Sequence, residues 1–190
     1  MRIGIFGGTF DPPHVGHLLA ANDAVEALSL DRAVFIPAAR QPLKVDALVA
    51  PPRDRLAMVT LAIAGEGRFS VDPVEIERDG LSFTIDTLRI LRARWRDDPA
   101  LALVLLLGED LVASLPKWRE PEALTELAEI VWLRRGDGPG VAPSIGRVIA
   151  TRRVDISSTE IRERVRTGRS IRGFVTDAVA EYIGDRRLYR

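Results

Sequence analysis

The sequence predicts an α/β fold built on a doubly wound parallel sheet, an expectation carried by three observations. Short apolar segments alternate along the chain with stretches whose apolar residues recur at helical spacing. The longest apolar run, eight residues from 100 to 107, has the length of a strand buried on both faces, as central strands of parallel sheets are. Two glycines, Gly7 and Gly8, directly follow the first apolar segment, where a strand must turn into a helix. Sheets of this kind are wound by right-handed crossovers and bind ligands at the carboxyl ends of their strands.

Residues 2–6 read as the first strand, ending in the glycine turn. Residues 15–29 carry Val15, Leu18, Leu19, Val25 and Leu28 at roughly helical spacing, and residues 33–36 resume a strand, which completes a β-α-β unit. Pro51 and Pro52 preset a helix through Leu56, Val59, Leu61 and Ile63 that stops near Gly65 and Gly67. A strand at 69–71, a helix at 84–96 with Ile85, Leu88, Leu91 and Trp95 in phase, and the central strand at 100–107 follow. Short helices at 111–115 and 121–128, a strand at 130–133, a Gly/Pro loop at 136–143 and a last strand at 147–150 come next. Helices at 158–166 and 177–183 close the chain. The whole, residues 1–190, is expected to be one domain with a small helical part at about 155–190.

Composition narrows the function. Twenty-seven basic residues balance twenty-seven acidic ones, so no overall field draws in a nucleic-acid polymer or an anionic membrane. Cysteine is absent, which excludes disulfides, thiolate nucleophiles and thiolate metal sites. The eight-residue run falls well short of the ~20 apolar residues of a membrane-spanning helix, and the start, MRIGIFGG, enters a strand pattern with no apolar leader; a cytoplasmic protein is expected. The balance is uneven, however. Residues 134–190 hold thirteen Arg against seven Asp and Glu, +6, leaving −6 for the remainder. Such a segment is either a solvated face or the positive wall of a phosphate site.

The first turn reads Gly7-Gly8-Thr9-Phe10-Asp11-Pro12-Pro13-His14-Val15-Gly16-His17 and contains both histidines of the chain. Glycines after a strand let backbone N–H groups approach an oxyanion, and the helix N-terminus beyond adds partial positive charge. His14 and His17, three apart, can donate to one group, and Gly16 leaves room for a flat base. The plain reading is an ordinary turn, with Asp11 capping and the prolines starting the helix. A zinc pair is a third reading, but without Cys or further His it needs carboxylates to complete it. A GxGxxG dinucleotide fingerprint is missing. A second constellation, Ile156-Ser157-Ser158-Thr159-Glu160-Ile161-Arg162, contains a Ser-x-x-Glu capping box and, with Ser158, Thr159 and Arg162, an anion site at a helix start.

The first segment resembles the nucleotidyltransferase signature, a strand followed by GG-T-F-D-P-x-H-x-G-H, and the second resembles that superfamily's ISSTxIR. The resemblance implies a Rossmann-like doubly wound parallel sheet of the nucleotidyltransferase type. It also implies that ATP binds to Gly7, Gly8, Thr9, Phe10, Gly16, Ile156, Ser157, Ser158 and Thr159, with His14, His17 and Arg162 acting on its phosphates. Four further segments resemble bacterial nicotinate-nucleotide adenylyltransferases. Ser82-Phe83-Thr84-Ile85-Asp86-Thr87-Leu88 would place Thr84 beside a pyridine ring, and Gly108-Glu109-Asp110 would place Gly108 and Asp110 near the adenosine ribose. Leu115-Pro116-Lys117-Trp118 would stack Trp118 on the nicotinate, though without the resemblance a Trp is more often core packing. Arg40-Gln41-Pro42-Leu43-Lys44 matches in part: Lys44 is kept as a phosphate and acceptor contact, and Leu43 stands where the family has His. The C-terminal segment through Tyr189 resembles the family's ending, with Thr176 where Pro is usual.

The activity so implied is adenylyl transfer from ATP to nicotinate mononucleotide, giving deamido-NAD and pyrophosphate, with Mg²⁺ accompanying ATP and no metal site of the protein's own. Partners are then small molecules, neither nucleic-acid polymer nor membrane, and a homo-oligomer is compatible with the reading. Three alternatives stay open: nicotinamide mononucleotide as preferred acceptor, phosphopantetheine as acceptor, and a nucleotide-sensing module without turnover.

Overall fold

A computed structural model describes residues 1–40, 50–78, 80–136, 140 and 142–190. The first strand, β1 (Arg2–Gly8), alternates its side chains between two apolar clusters: Ile3 and Ile5 enter one, Phe6 the other. The same period of two runs through β2 (Arg32–Pro37), β4 (Ala102–Gly108) and β5 (Glu129–Arg135). Val34 and Ile36, Leu103, Leu105 and Leu107, and Ile130 and Trp132 join the isoleucines; Ala33 and Phe35, Val104 and Leu106, and Val131 and Leu133 join Phe6. A sheet apolar on both faces must be covered on both.

Six strands pair in parallel in the order β3-β2-β1-β4-β5-β6, with β3 (Phe69–Val71) and β6 (Arg147–Thr151) at the edges. Register is set at the centre by Gly4 opposite Ala33 on one side and Val104 on the other. On the Phe6 face lie α1 (Val15–Ala27), through Ala21, Ala24 and Val25, and α2 (Pro52–Ala62), through Val59. On the other face lie α3 (Val74–Arg78), α4 (Thr84–Arg94) and α5 (Leu124–Leu127), through Val74, Ile85, Leu88, Leu91 and Leu124. A third cluster joins Met58 and Ala62 of α2 to Ile161 of α6 (Ser158–Arg166) and Val179 and Ile183 of α7 (Asp177–Asp185). No helix among the described residues is long and apolar enough to cross a membrane.

Three elements differ from the sequence reading. Helix α3, five residues after Pro73, is too short to show a period. The expected helix at 111–115 is a longer 3-10 stretch, Glu109–Lys117, and only Leu124–Leu127 of the expected 121–128 is α-helical. The order of strands reverses between β1 and β4, so the crevice beyond their carboxyl ends is the topological switch point. Both Gly7-Gly8 and Gly108 end there.

Candidate active site

The two glycines of the first turn differ in their surroundings. A Cβ on Gly7 would meet nothing within 4 Å, so its backbone faces open space, whereas one on Gly8 would lie 2.8 Å from the ring of Phe10. Phe10 adopts a left-handed φ of 50°, unfavourable by about 1 kcal/mol for a side chain of this kind. Packing holds it there: its ring meets Phe6 edge-on at 5.8 Å and His17 at 5.0 Å, and the residue is 2 % exposed. Phe10 therefore supports His17 from below while also lining the cavity.

His14 sits at the N-cap of α1 and His17 in its first turn. The expected cap, Asp11, is engaged elsewhere, its Oδ1 accepting from the Ala50 N–H at 3.2 Å. The imidazoles stack at 3.7 Å and 28°. The backbone N–H of His14 donates to Nδ1 of His17 at 3.1 Å, which leaves the proton of neutral His17 on Nε2. Burial, and then the Arg135 cation, lowers the pKa of His14 to about 4; burial, His14 and Arg135 together hold His17 well below its ordinary value. Near neutral pH both rings are uncharged. A Cβ on Gly16 would lie 3.0 Å from Nδ1 of His14, so this glycine admits the imidazole before it leaves room for anything else.

The second constellation docks directly onto the first. Ser158 Oγ donates to the carbonyl of Pro12 at 2.8 Å, and Arg162 donates through Nη1 to the carbonyl of Asp11 at 2.8 Å and through Nη2 to Thr159 Oγ1 at 3.1 Å. A cavity of about 430 Å³ opens between them, lined by Gly7, His14, His17, Ser158, Thr159 and Arg162, with Gly8, Thr9, Gly16, Gly108 and Asp110 also on its walls. Ile156 and Ser157 do not line it. Ile156 packs into the third apolar cluster, and Ser157 caps α6 by accepting the Glu160 N–H at 3.1 Å. A Cβ on Gly108 would push the carboxylate of Asp110 from its position.

A second cavity, about 290 Å³, shares Gly7, Gly8, Asp110 and Leu111 with the first and extends to Thr84 and Trp118. Trp118 serves two ends: it packs against the core and lines this cavity, with Nε1 donating to Ser114 Oγ at 3.2 Å. Lys44 and Leu43 lie outside the described residues.

Sequence reasoning missed three site residues. Glu75, buried on the wall of the second cavity, accepts the Thr87 hydroxyl at 2.6 Å, and burial raises its pKa. Arg135 ends β5 and adds a cation to the first cavity. Arg55 is wholly buried and donates to the carbonyls of Thr9 at 2.8 Å, Ala39 at 3.1 Å and Ala50 at 3.2 Å, tying the loops after β1 and β2 to the start of α2. One signal was available for Arg55. It stands three and four residues before Met58 and Val59 on the buried stripe of α2, where a cation needs a reason.

Residues 5–164 match the cytidylyltransferase-like family. The chain is 52% identical to a protein of Gemmatimonas aurantiaca described as a probable nicotinate-nucleotide adenylyltransferase, over 100% of this chain and 93% of that one. It is 46% identical to one of the same description from Thermus thermophilus, over 100% of both. Among solved structures, the nicotinic acid mononucleotide adenylyltransferase of Plasmodium falciparum complexed with NaAD superposes with a TM-score of 0.80 at 19% identity, over 99% of this chain and 97% of that chain, a likeness of fold. With whole-chain identity of this size to relatives of one description, the chain belongs to the nicotinate-nucleotide adenylyltransferase family.

Proposed function

We propose that the two cavities hold the two substrates of the family's reaction side by side, ATP between the first turn and α6, and nicotinate mononucleotide between Thr84 and Trp118. The reaction is transfer of the adenylyl group of ATP to nicotinate mononucleotide, giving deamido-NAD and pyrophosphate, a step of NAD biosynthesis. One observation carries the placement: the cavities meet at Gly7, Gly8 and Asp110, so a phosphate entering from one side reaches a phosphorus held from the other.

The 5′-phosphate of the acceptor attacks the α-phosphorus of ATP; a P–O bond forms to it, and the bond to the bridging oxygen of pyrophosphate breaks. The attacking oxygen carries no proton that must be removed, so the site has to align two anions and stabilise charge on the leaving group. Neutral His17 suits that task as an Nε2–H donor, and its low pKa makes it no general acid at neutral pH. Arg162, the N-terminus of α6 and Arg135, which all border the first cavity, add positive potential there. Lys44 is assigned a phosphate by resemblance alone. Asp110, which lines both cavities, is the proposed acceptor for ribose hydroxyls, and the indole of Trp118, which lines the second, is proposed to cover the pyridine.

Mg²⁺ is the proposed companion of ATP. Among the described residues no group of three or more His, Asp or Glu is disposed to hold an ion. The residues fit a metal carried chiefly by substrate phosphates, where it would neutralise charge, and do not fit a protein cage. The proposed location is cytoplasmic.

A substrate panel tests the reading. With ATP and Mg²⁺, nicotinate mononucleotide is expected to release pyrophosphate with kcat/KM at least about tenfold above nicotinamide mononucleotide and phosphopantetheine. A higher value for either of the others reassigns the second cavity. Binding of ATP with no turnover on any acceptor makes the protein a sensor.

A further inference from the structure

Tyr189 lies beyond α7, 178 positions along the chain from Asp11, and the two meet in the interior. Its phenol donates to Oδ1 of Asp11 at 2.7 Å, and the residue is 7 % exposed. The ring belongs to the third apolar cluster, with Met58 and Ile183. Asp11 thus receives a buried phenol on its side chain and, on its backbone carbonyl, the guanidinium of Arg162 at 2.8 Å. That carbonyl sits in a turn whose preceding residue, Phe10, has the unfavourable φ of 50°, so the turn keeps its shape only while its neighbours hold it. Arg55 holds the upstream end through Thr9, and Tyr189 and the Ala50 N–H hold the carboxylate of Asp11. Burial and the neighbouring carboxylate push the phenol's pKa up, so it remains a donor wherever the enzyme is folded.

We propose that Tyr189 is a positioning residue for adenylyl transfer: its hydrogen bond to Asp11 fixes the carbonyl that aims Arg162 into the ATP cavity. The inference rests on reading that cavity as the triphosphate site. Two other features of this network agree with it. Ser158, beside Arg162 on α6, bonds to the carbonyl of Pro12, so α6 is registered against the same turn at two adjacent carbonyls. Asp11 and Tyr189 touch no open space in the second cavity, so an effect through them falls on the ATP side.

The test is a double-substitution cycle on the full chain, using Tyr189→Phe, which keeps the packed ring and removes only the hydroxyl, and Arg162→Lys. Pyrophosphate release from ATP and nicotinate mononucleotide is measured well below each variant's melting temperature, so that only folded enzyme is compared. Tyr189→Phe is expected to lower kcat about tenfold in the parent, with KM for nicotinate mononucleotide within about twofold. In the Arg162→Lys background the same change is expected to lower kcat by less than about twofold, because the group that it aims is gone. Equal factors in the two backgrounds, or no loss of kcat in the parent, overturn the role of Tyr189. An inactive parent enzyme overturns the assignment of the site instead.

Discussion

His14 and His17 are the residues whose chemistry depends most on what surrounds them. Burial and the Arg135 cation depress both, His14 to about 4 from an ordinary value of 6.5. An unfolded chain takes up protons on these rings as pH falls below 6.5; in the folded protein His14 refuses its proton until about 4, and His17 likewise titrates well below its ordinary value. Folding is therefore favoured above that window and loses stability as pH falls through it, by up to about 1.4 kcal/mol per pH unit for each ring. Thermal denaturation of the ligand-free protein between pH 7.5 and 5 should show a melting temperature that drops with pH, and more steeply than in His14→Gln. Equal slopes in the two proteins would mean that His14 titrates in the fold as it does in the unfolded chain. The resting site, uncharged at its two imidazoles, draws its positive potential from arginines and backbone N–H groups.

At the scale of elements, the start of α6 shows two adjacent hydroxyls with different work. Ser157 closes the helix by accepting the Glu160 N–H, and Ser158 bonds across to Pro12 on the other side of the cavity. Ser157→Ala should cost about 1 kcal/mol of stability, with kcat/KM for ATP within about twofold of the parent. Ser158→Ala should do the reverse, lowering kcat/KM for ATP about tenfold with a smaller change in melting temperature. Melting curves and ATP titrations on both variants check this, and the opposite pattern would exchange the roles. The Ser-x-x-Glu spacing already announced the cap, since one turn of helix brings those residues together. The strands were equally legible, because side chains alternating between two apolar faces leave uninterrupted apolar runs such as Leu103 to Leu107. The short helical elements were legible only in part. A five-residue stretch such as α3 is too short to set a period, and the 3-10 stretch Glu109–Lys117 repeats every three residues rather than every 3.6, so only its middle read as a helix.

At the scale of the molecule, the meeting of residues 11–17 with 157–162 depends on the strand order, which places β1 next to β4 and brings the chain back over the β1 turn after β6. Residue spacing held no record of that meeting; the likeness of both motifs to one superfamily supplied it. That Arg55 and Tyr189 brace the same turn from the interior was not legible, because the role of a buried guanidinium or phenol is set by partners far away in sequence. The sharing of Gly7, Gly8 and Asp110 by two cavities is likewise a property of the switch point as a whole. That sharing makes the occupants separable by substitution at the far walls. Trp118 stands at the far wall of the smaller cavity, half in the core, so its removal has two consequences that must be told apart. Trp118→Ala should raise KM for nicotinate mononucleotide about tenfold or more and leave KM for ATP within about twofold, whereas Trp118→Phe, which keeps an aromatic face and loses the bond to Ser114, should recover most of the acceptor's affinity. A residue that served packing alone would lower the melting temperature in Trp118→Ala and change both Michaelis constants little. Steady-state titration of each substrate at saturation of the other distinguishes the two, and an unchanged acceptor constant in the folded alanine variant would remove Trp118 from the site.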